Sequence, residues 1–473
     1  MPSAPVKTRF APSPTGYIHL GNVRTALFSA LLARKHDGVF LLRIEDTDRE
    51  RSRTEYDAAL REDLRWLGLD WQEGPEVGGG HGPYAQSERT EVYAEYLERL
   101  ESAGLAYPCF CSDQTLELSR KAQLAAGRPP RYAGTCAHLS AREVRERLDR
   151  GLKPTLRFRV PEGESVEFDD LVRGPQRFDT GHIGDFVIRR SDGTSAFFFT
   201  NALDDALMGV THVLRGEDHL TNTPRQLLLL RALGLTAPRY GHISLIVGPD
   251  GGPLSKRVGS ASVRGLREQG YLPLAIDNHL ARLGHSYDAD AFLDLDALAA
   301  GFDLGRLGRA PARHDESQLR HWQKEAVARL DDAGFWRWLQ THAADELALV
   351  PAGAEMDFVR AVRENTVLPA DAIAWAARLF GASVTPSEEA AEVIRVAGAA
   401  FFRSAEERLP EAAIDFKRFS QAVGEATGCK GKALFMPLRA ALTGEVHGPE
   451  MGRMFPLIGL ERARARLSAA ANS

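Results

Sequence analysis

Residues 7–46 read KTRFAPSPTGYIHLGNVRTALFSALLARKHDGVFLLRIED, and this stretch decides the fold. It opens with a short apolar run, KTRFA, suited to a strand. Two prolines and a glycine then crowd into APSPTG, residues that set turn dihedrals rather than extend regular structure. From about Gly21 the spacing of Leu27, Leu31 and Leu32 predicts a helix with one buried face. GVFLLRIED follows as a second apolar strand ending in carboxylates. RTEYDAALREDLRWLGL then sets Tyr56, Leu60, Leu64 and Leu67 on one side of a second helix. Strand, helix, strand, helix favours a parallel sheet with crossover connections.

The turn itself raises a chemical question. A helix starting near Gly21 presents free N–H groups and the positive end of its dipole to any anion. Gly21 has no Cβ, so a ligand can come close to the backbone, and His19 can donate to a phosphate oxygen. Alone, a histidine before a helix is more often structural.

The chain has 473 residues, 44% hydrophobic and 26% charged, the balance of a soluble globular protein of two to four domains. No window approaches the ~18 apolar residues of a membrane span. The first residues, MPSAPVKTRFAPSPTG, lack a signal peptide's apolar core. These features predict a soluble cytoplasmic protein that does not associate with membranes. A net charge of −5 gives no overall basic footprint for nucleic acid. Locally, Arg306, Arg309, Arg313, Arg320 and Lys324 gather within twenty residues, which reads equally as a solvated helix face.

Beyond residue 105 the pattern changes. Cysteines, a Gly/Pro-rich segment (AAGRPPRYAGTC) and β-like runs (TLRFRV, ESVEFDDLV) read as an insertion. The α/β signature then returns. DFVIRRSDGTSAFFF suggests a hairpin turning at Asp-Gly. THVLRGED reads as a strand, TPRQLLLLRALG as a helix with Pro224 in its first turn, and RYGHISLIVG as a strand entering a glycine-rich loop, GPDGGPLSKRVGS. From Gly265 onward the chain reads almost entirely helical.

No Walker A pattern and no G-x-G-x-x-G fingerprint are present, so any phosphates must be held otherwise. The loop PLSKR supplies a candidate: Lys256 on a closing loop would place positive charge where it develops in a transition state. Paired with His19 and Gly21 at the start of the same α/β region, it makes chance a poor account.

These two elements resemble the paired His-x-Gly-x and Lys-x-Ser-Lys-type motifs of the class I aminoacyl-tRNA synthetases. Within that class, RFAPSPTGYIHLGNVRTALF, LLRIEDTDRERS, GPYAQSER, VTHVLRGEDHLTNTPRQ, LSKR, GYLPLAIDNHLARLG and GKALFMPLRAALTG are similar to the bacterial glutamate–tRNA ligases, essentially end to end. The resemblance implies glutamate activation by ATP to glutamyl-adenylate, then transfer to the 3′ end of tRNA-Glu, with AMP and pyrophosphate released. It implies His19, Gly21 and Lys256 as the catalytic set, and His19, Gly21, Asn22, Ser255, Lys256 and Arg257 as the ATP contacts. Mg²⁺ accompanies ATP, without assigned protein ligands. The glutamate pocket is implied at Arg9, Ser13, Glu45, Phe197, Asn201 and Arg215. At Phe197 the family often has tyrosine, so a substrate-facing hydroxyl is missing here.

Cys109, Cys111, Cys136 and His138 supply three thiolates and an imidazole, a donor set that suits tetrahedral Zn²⁺, closed and therefore structural, one per chain. Tyr107 and Tyr132 are expected to pack around it, and Cys429 to be a free thiol. By the resemblance, the fold is a Rossmann-type doubly wound catalytic domain with an inserted zinc-containing α+β acceptor-binding domain and an all-α anticodon-binding domain. The expected boundaries are 1–105 and 191–263 for the catalytic halves, 106–190 for the insertion, 264–325 for a helical stem-contact domain and 326–473 for the anticodon domain. A monomer is expected. The alternatives are charging of tRNA-Gln as well or instead, a tRNA-base glutamylating enzyme, another adenylyl- or nucleotidyltransferase with a His-x-Gly motif, and a catalytically silent zinc-containing RNA-binding protein.

Overall fold

A computed structural model describes residues 5–48, 50–248, 250–252, 262–409 and 415–472. It divides into two compact units, Met1–Arg264 with Asp277–Asp315, and Gly265–Ile276 with Glu316–Ser473.

The first unit is organised by the opening stretch. Strand β1 (Lys7–Phe10) leads through the proline turn into helix α1 (Leu20–Lys35), which returns to strand β2 (Val39–Leu42). The strands pair in parallel, Lys7 with Val39 through Phe10 with Leu42. Val23, Leu27, Phe28 and Leu31 of α1 are buried, and the Thr8 hydroxyl donates to the Ser29 carbonyl at 2.8 Å. Helices α2 (Thr54–Trp66) and α3 (Thr90–Ser102) follow.

The insertion is built on strands β3 (Ala106–Cys109), β4 (Thr155–Phe158) and β7 (Phe186–Arg189), which form an antiparallel sheet in the order β3-β4-β7. Helices α4 (Asp113–Ala125) and α5 (Ala141–Asp149) lie between β3 and β4. A separate hairpin pairs β5 (Ser165–Asp170) with β6 (Gly174–Asp179).

After β7 the expected hairpin shrinks to one bridge, Arg189 with Ser195. Its second arm is instead the start of helix α6 (Phe197–Leu207), because Phe199 and Leu203, four residues apart, both reach the core while Asp204 and Asp205 find buried cationic partners. Strand β8 (His212–Gly216), helix α7 (Thr223–Leu233, with Pro224 in its first turn) and strand β9 (Arg239–Ile243) complete the parallel sheet, in the order β2-β1-β8-β9. Residues of α3, α6, α7, β4 and β7 share one core, including Tyr93, Leu97, Phe158, Ile188, Phe199 and Leu228.

The second unit is helical in its described part, from Glu316–Ala328 to Met451–Ala471, around a core that includes Phe335, Phe358, Phe402, Phe419, Leu438 and Phe455. The strand pair β10 (Ile246–Val247) and β11 (Ala312–Arg313) belongs to the first unit. The basic run is thereby divided: Arg306, Arg309 and Arg313 lie in the first unit, Arg320 and Lys324 in the second. Arg306 is ion-paired to Asp288 and Arg309 donates to the Val172 carbonyl at 3.0 Å. No described helix is long and apolar enough to cross a membrane.

Candidate active site

The sheet carries the candidate residues at the C-terminal ends of its strands, where ligands of open α/β sheets bind. Arg9 and Arg215 each lie one residue before the end of their strands, β1 and β8, and Glu45 follows β2. Asn201 stands on α6 above them. Arg9, Glu45, Asn201 and Arg215 are all buried, whereas Ser13 is exposed and Phe197 half-buried.

Three of these, Arg215, Asn201 and Glu45, are linked by hydrogen bonds with a fixed direction. The Arg215 Nη2 donates to Gln226 Oε1 at 2.7 Å, and Gln226 Nε2 donates to Asn201 Oδ1 at 2.8 Å. Asn201 Nδ2 in turn donates to Glu45 Oε1 at 2.6 Å, and Arg43 Nη2 reaches the same oxygen at 3.0 Å. Burial raises the Glu45 carboxyl above its usual range, opposed by the charges of Arg43 and Arg9. Arg9 grips Asp205 through Nε at 3.2 Å. Burial works against ionisation of Asp205, yet Arg9 and Arg43 outweigh it and hold the carboxylate below its usual pKa. Burial draws the Arg215 guanidinium down to about 10, so it remains a cation at neutral pH. Its Nη1 is buried with no hydrogen-bond partner.

Around these residues lies an ionic layer that the sequence reading missed. Arg43, fully buried, meets Asp205 at 2.7 Å, Glu45 at 3.0 Å and Asp204 at 3.9 Å. Asp204 also accepts from Arg89, Gln86 and Tyr93 at 2.7–2.9 Å. A signal existed: an arginine inside LLRIED and two aspartates inside ALDDAL interrupt apolar runs, where an unpaired charge would be prohibitive. The Phe197 ring lies tilted against His219, ring centroids 5.7 Å apart.

At the other end of the turn, His19 is the N-cap of α1. Its Nδ1 accepts from the Gly21 N–H at 3.2 Å, which puts the ring proton on Nε2. Gly21 is needed here for a second reason: a Cβ would stand 3.0 and 3.1 Å from the His19 ring atoms Cε1 and Nδ1. Asn22 is exposed in the first turn of α1. Ser255, Lys256 and Arg257 lie outside the described residues, but the chain after them re-enters beside the histidine. Ser262 bridges His19, and Val263 N–H donates to the Ile18 carbonyl at 3.1 Å.

In the insertion, the sulfurs of Cys109, Cys111 and Cys136 lie within 4.8 Å of one another, and no disulfide joins them. His138 is not a member of this group. The Tyr132 hydroxyl is, at 3.3 Å from the Cys109 sulfur and 3.5 Å from that of Cys111, while it also accepts from the Cys136 N–H at 2.8 Å. Three thiols converging without oxidation fit a soft divalent metal such as zinc.

Residues 5–321 match the family model of class I tRNA synthetases (E and Q), catalytic domain, and residues 357–471 match that of the anticodon binding domain. Over 462 residues the chain is 62% identical to glutamate–tRNA ligase 2 of Nitrosococcus oceani, covering 98% of this chain and 97% of the relative. It is 59% identical to glutamate–tRNA ligase 2 of Alkalilimnicola ehrlichii, covering 98% and 97%. Among solved structures, a glutamate tRNA ligase from Elizabethkingia meningosepticum in complex with its amino acid superimposes with a TM-score of 0.87 at 29% identity, covering 99% of this chain and all of that one.

Proposed function

The chain belongs to the class I aminoacyl-tRNA synthetases, as a glutamate–tRNA ligase that joins glutamate to tRNA, and from that premise we propose which of its residues perform each step. Arg9, Ser13, Glu45, Phe197, Asn201 and Arg215 form the glutamate pocket. Arg9 and Arg215 take the two carboxylates, since a guanidinium offers them a planar fork. Glu45 accepts from the α-ammonium. The observation that carries this reading is the bare, buried Nη1 of Arg215. An unmet buried donor is costly, and a substrate carboxylate would meet it.

The family uses ATP with Mg²⁺. His19, Gly21, Asn22, Ser255, Lys256 and Arg257 hold the nucleotide, with His19, Gly21 and Lys256 as the catalytic set. An oxygen of the glutamate α-carboxylate bonds to the α-phosphorus as the bond to pyrophosphate breaks. Lys256 neutralises the charge that develops, and no side chain acts as nucleophile. The 3′-terminal hydroxyl of tRNA then takes the acyl group, and AMP leaves. His19 with Nε2 as its donor suits a phosphate contact.

In the insertion, Cys109, Cys111 and Cys136 would hold one structural zinc, which when bound crosslinks the loop. The fourth donor is His138, expected from the sequence, or Tyr132, whose hydroxyl adjoins two of the thiols. We assign residues 106–190 to the tRNA acceptor stem, 264–325 to further stem contacts and 326–473 to the anticodon, with tRNA-Glu as the substrate of a monomeric cytoplasmic enzyme.

Glutamate-dependent ATP–pyrophosphate exchange, run with and without tRNA, tests the pocket. Arg215→Ala is expected to raise the KM for glutamate and leave that for ATP unchanged. No glutamate-dependent exchange by the parent under either condition would overturn the reading. Charging assays on purified tRNA-Glu and tRNA-Gln decide the nucleic-acid substrate.

A further inference from the structure

Arg215 is held by three neighbours. Its Nε donates to the ring of His242 at 3.1 Å, and its Nη2 to the Thr223 hydroxyl and to Gln226, both at 2.7 Å. His242 stands beside it in register on β9 and is fully buried. The Thr223 hydroxyl lies 3.0 Å from the same His242 Nε2. A guanidinium can only donate, so Nε2 must carry its lone pair. The ring proton therefore sits on Nδ1, which faces Asp170 Oδ2 at 2.5 Å.

Asp170 does not belong to the catalytic sheet. It ends β5, in the insertion's hairpin. Its other oxygen, Oδ1, accepts from the N–H groups of Val172 at 2.9 Å, Arg173 at 2.8 Å and His242 at 3.2 Å. The turn is locked against the sheet. Leu171 N–H donates to the Tyr240 carbonyl at 2.8 Å, Arg309 holds the Val172 carbonyl at 3.0 Å, and Arg173 is paired with Glu217. Gly241 makes the approach close: a Cβ there would lie 2.8 Å from Leu214 Cδ2 and 3.2 Å from Leu171 Cβ.

We propose that Asp170 and His242 are positioning residues for Arg215: the carboxylate selects the imidazole tautomer that accepts from the guanidinium, so that Nη1 is left to face the substrate. The proposal rests on the reading of Arg215 as a glutamate contact. The chemistry is one of orientation. In the opposite tautomer a ring N–H would confront the Nε–H of Arg215, and the guanidinium would have to turn away.

Asp170→Asn makes the test specific. Its Oδ1 can still close the turn, whereas its Nδ2 donates to His242 Nδ1 and forces the proton onto Nε2. Exchange kinetics on the full chain with tRNA present should show the KM for glutamate raised about 10- to 100-fold and the KM for ATP unchanged. Nitrogen-15 spectra of histidine-labelled protein should show His242 as the Nδ1–H tautomer in the parent and Nε2–H in the variant. Adding His242→Gln, whose Oε1 can accept from Arg215 without help from Asp170, should restore most of the affinity lost in Asp170→Asn. If Asp170→Asn leaves the KM for glutamate unchanged while Arg215→Ala raises it, the positioning role is overturned and the pocket stands. If Arg215→Ala also leaves it unchanged, the pocket reading itself fails.

Discussion

Asp277 is a buried carboxyl for which the fold supplies no partner. It sits in the helix Pro273–Arg282, fully buried, and neither carboxylate oxygen has a hydrogen-bond partner. Burial therefore keeps it protonated to a pH well above its ordinary value. The sign follows from linkage. The folded state binds the proton more tightly than the unfolded chain, so this term is least damaging below the unfolded pKa of about 3.9. It costs stability increasingly as pH rises from there toward the folded pKa. Asp277→Leu, which needs no partner, should stabilise the chain at neutral pH by at least about 1–3 kcal/mol, and its advantage in Tm should be smaller at pH 4 than at pH 7. An advantage constant with pH would show that Asp277 does not titrate in the fold. The contrast with the pocket is instructive. LAIDNHLARLG and LLRIED both interrupt apolar runs with a charge, but only Arg43 meets counter-charges, from strands and helices up to 162 residues away. Which of the two outcomes applies depends on tertiary partners, and a local sequence pattern cannot reveal them.

At the scale of elements, legibility followed how local the determining forces were. The proline turn, α1 and the two flanking strands are written in adjacent residues, and they stand where the periodicity puts them. So does α7, with proline in its first turn and left-handed Gly234 at its C-cap. The hairpin expected around Asp192-Gly193 was only half legible, because its second arm is claimed by the core that Phe199 and Leu203 fill. The role of Asp170 was invisible, since its partner His242 is 72 residues away. The cysteine loop presents the sharpest case. Helices α4 and α5 bury no residue at all, so little but the cluster of Tyr107, Cys109 and Cys136, with Tyr132 and Leu139 against it, anchors the segment between β3 and β4. A metal at the thiols would then carry most of that segment's local stability. Chelation, or Cys136→Ala, should accelerate amide exchange across residues 110–150 while β1, β2, β8 and β9 keep their protection. Uniform protection after complete metal removal would show that the thiols alone suffice.

The chain divides into two compact units, and the two family matches divide in the same sense, 5–321 and 357–471. Segment 264–325, read from sequence as one piece, is shared between the units: Gly265–Ile276 goes with the helical unit and Asp277–Asp315 with the sheet. The short segment is bound within its own unit by backbone groups. Gln323 donates to the Gly270 carbonyl at 3.2 Å and accepts from the Leu272 N–H at 2.8 Å, while the Trp338 indole donates to the same Gly270 carbonyl at 2.9 Å. Such ties are set by tertiary position, so sequence spacing did not disclose them. Separate cores predict separate cooperative transitions in calorimetry. The proposed glutamate and ATP site draws only on the sheet-bearing unit, so each ligand at about 100 times its Kd should stabilise that unit by about 2.7 kcal/mol, both together by about 5 kcal/mol, and leave the other transition in place. Tryptophan fluorescence distinguishes them, because Trp322, Trp336, Trp338 and Trp375 lie in the helical unit and only Trp66 and Trp71 in the other. The ligand-sensitive transition should therefore be the one with the smaller fluorescence change. If both transitions move together on ligand addition, the two cores unfold as one body, and the division of labour between them is not a division of stability.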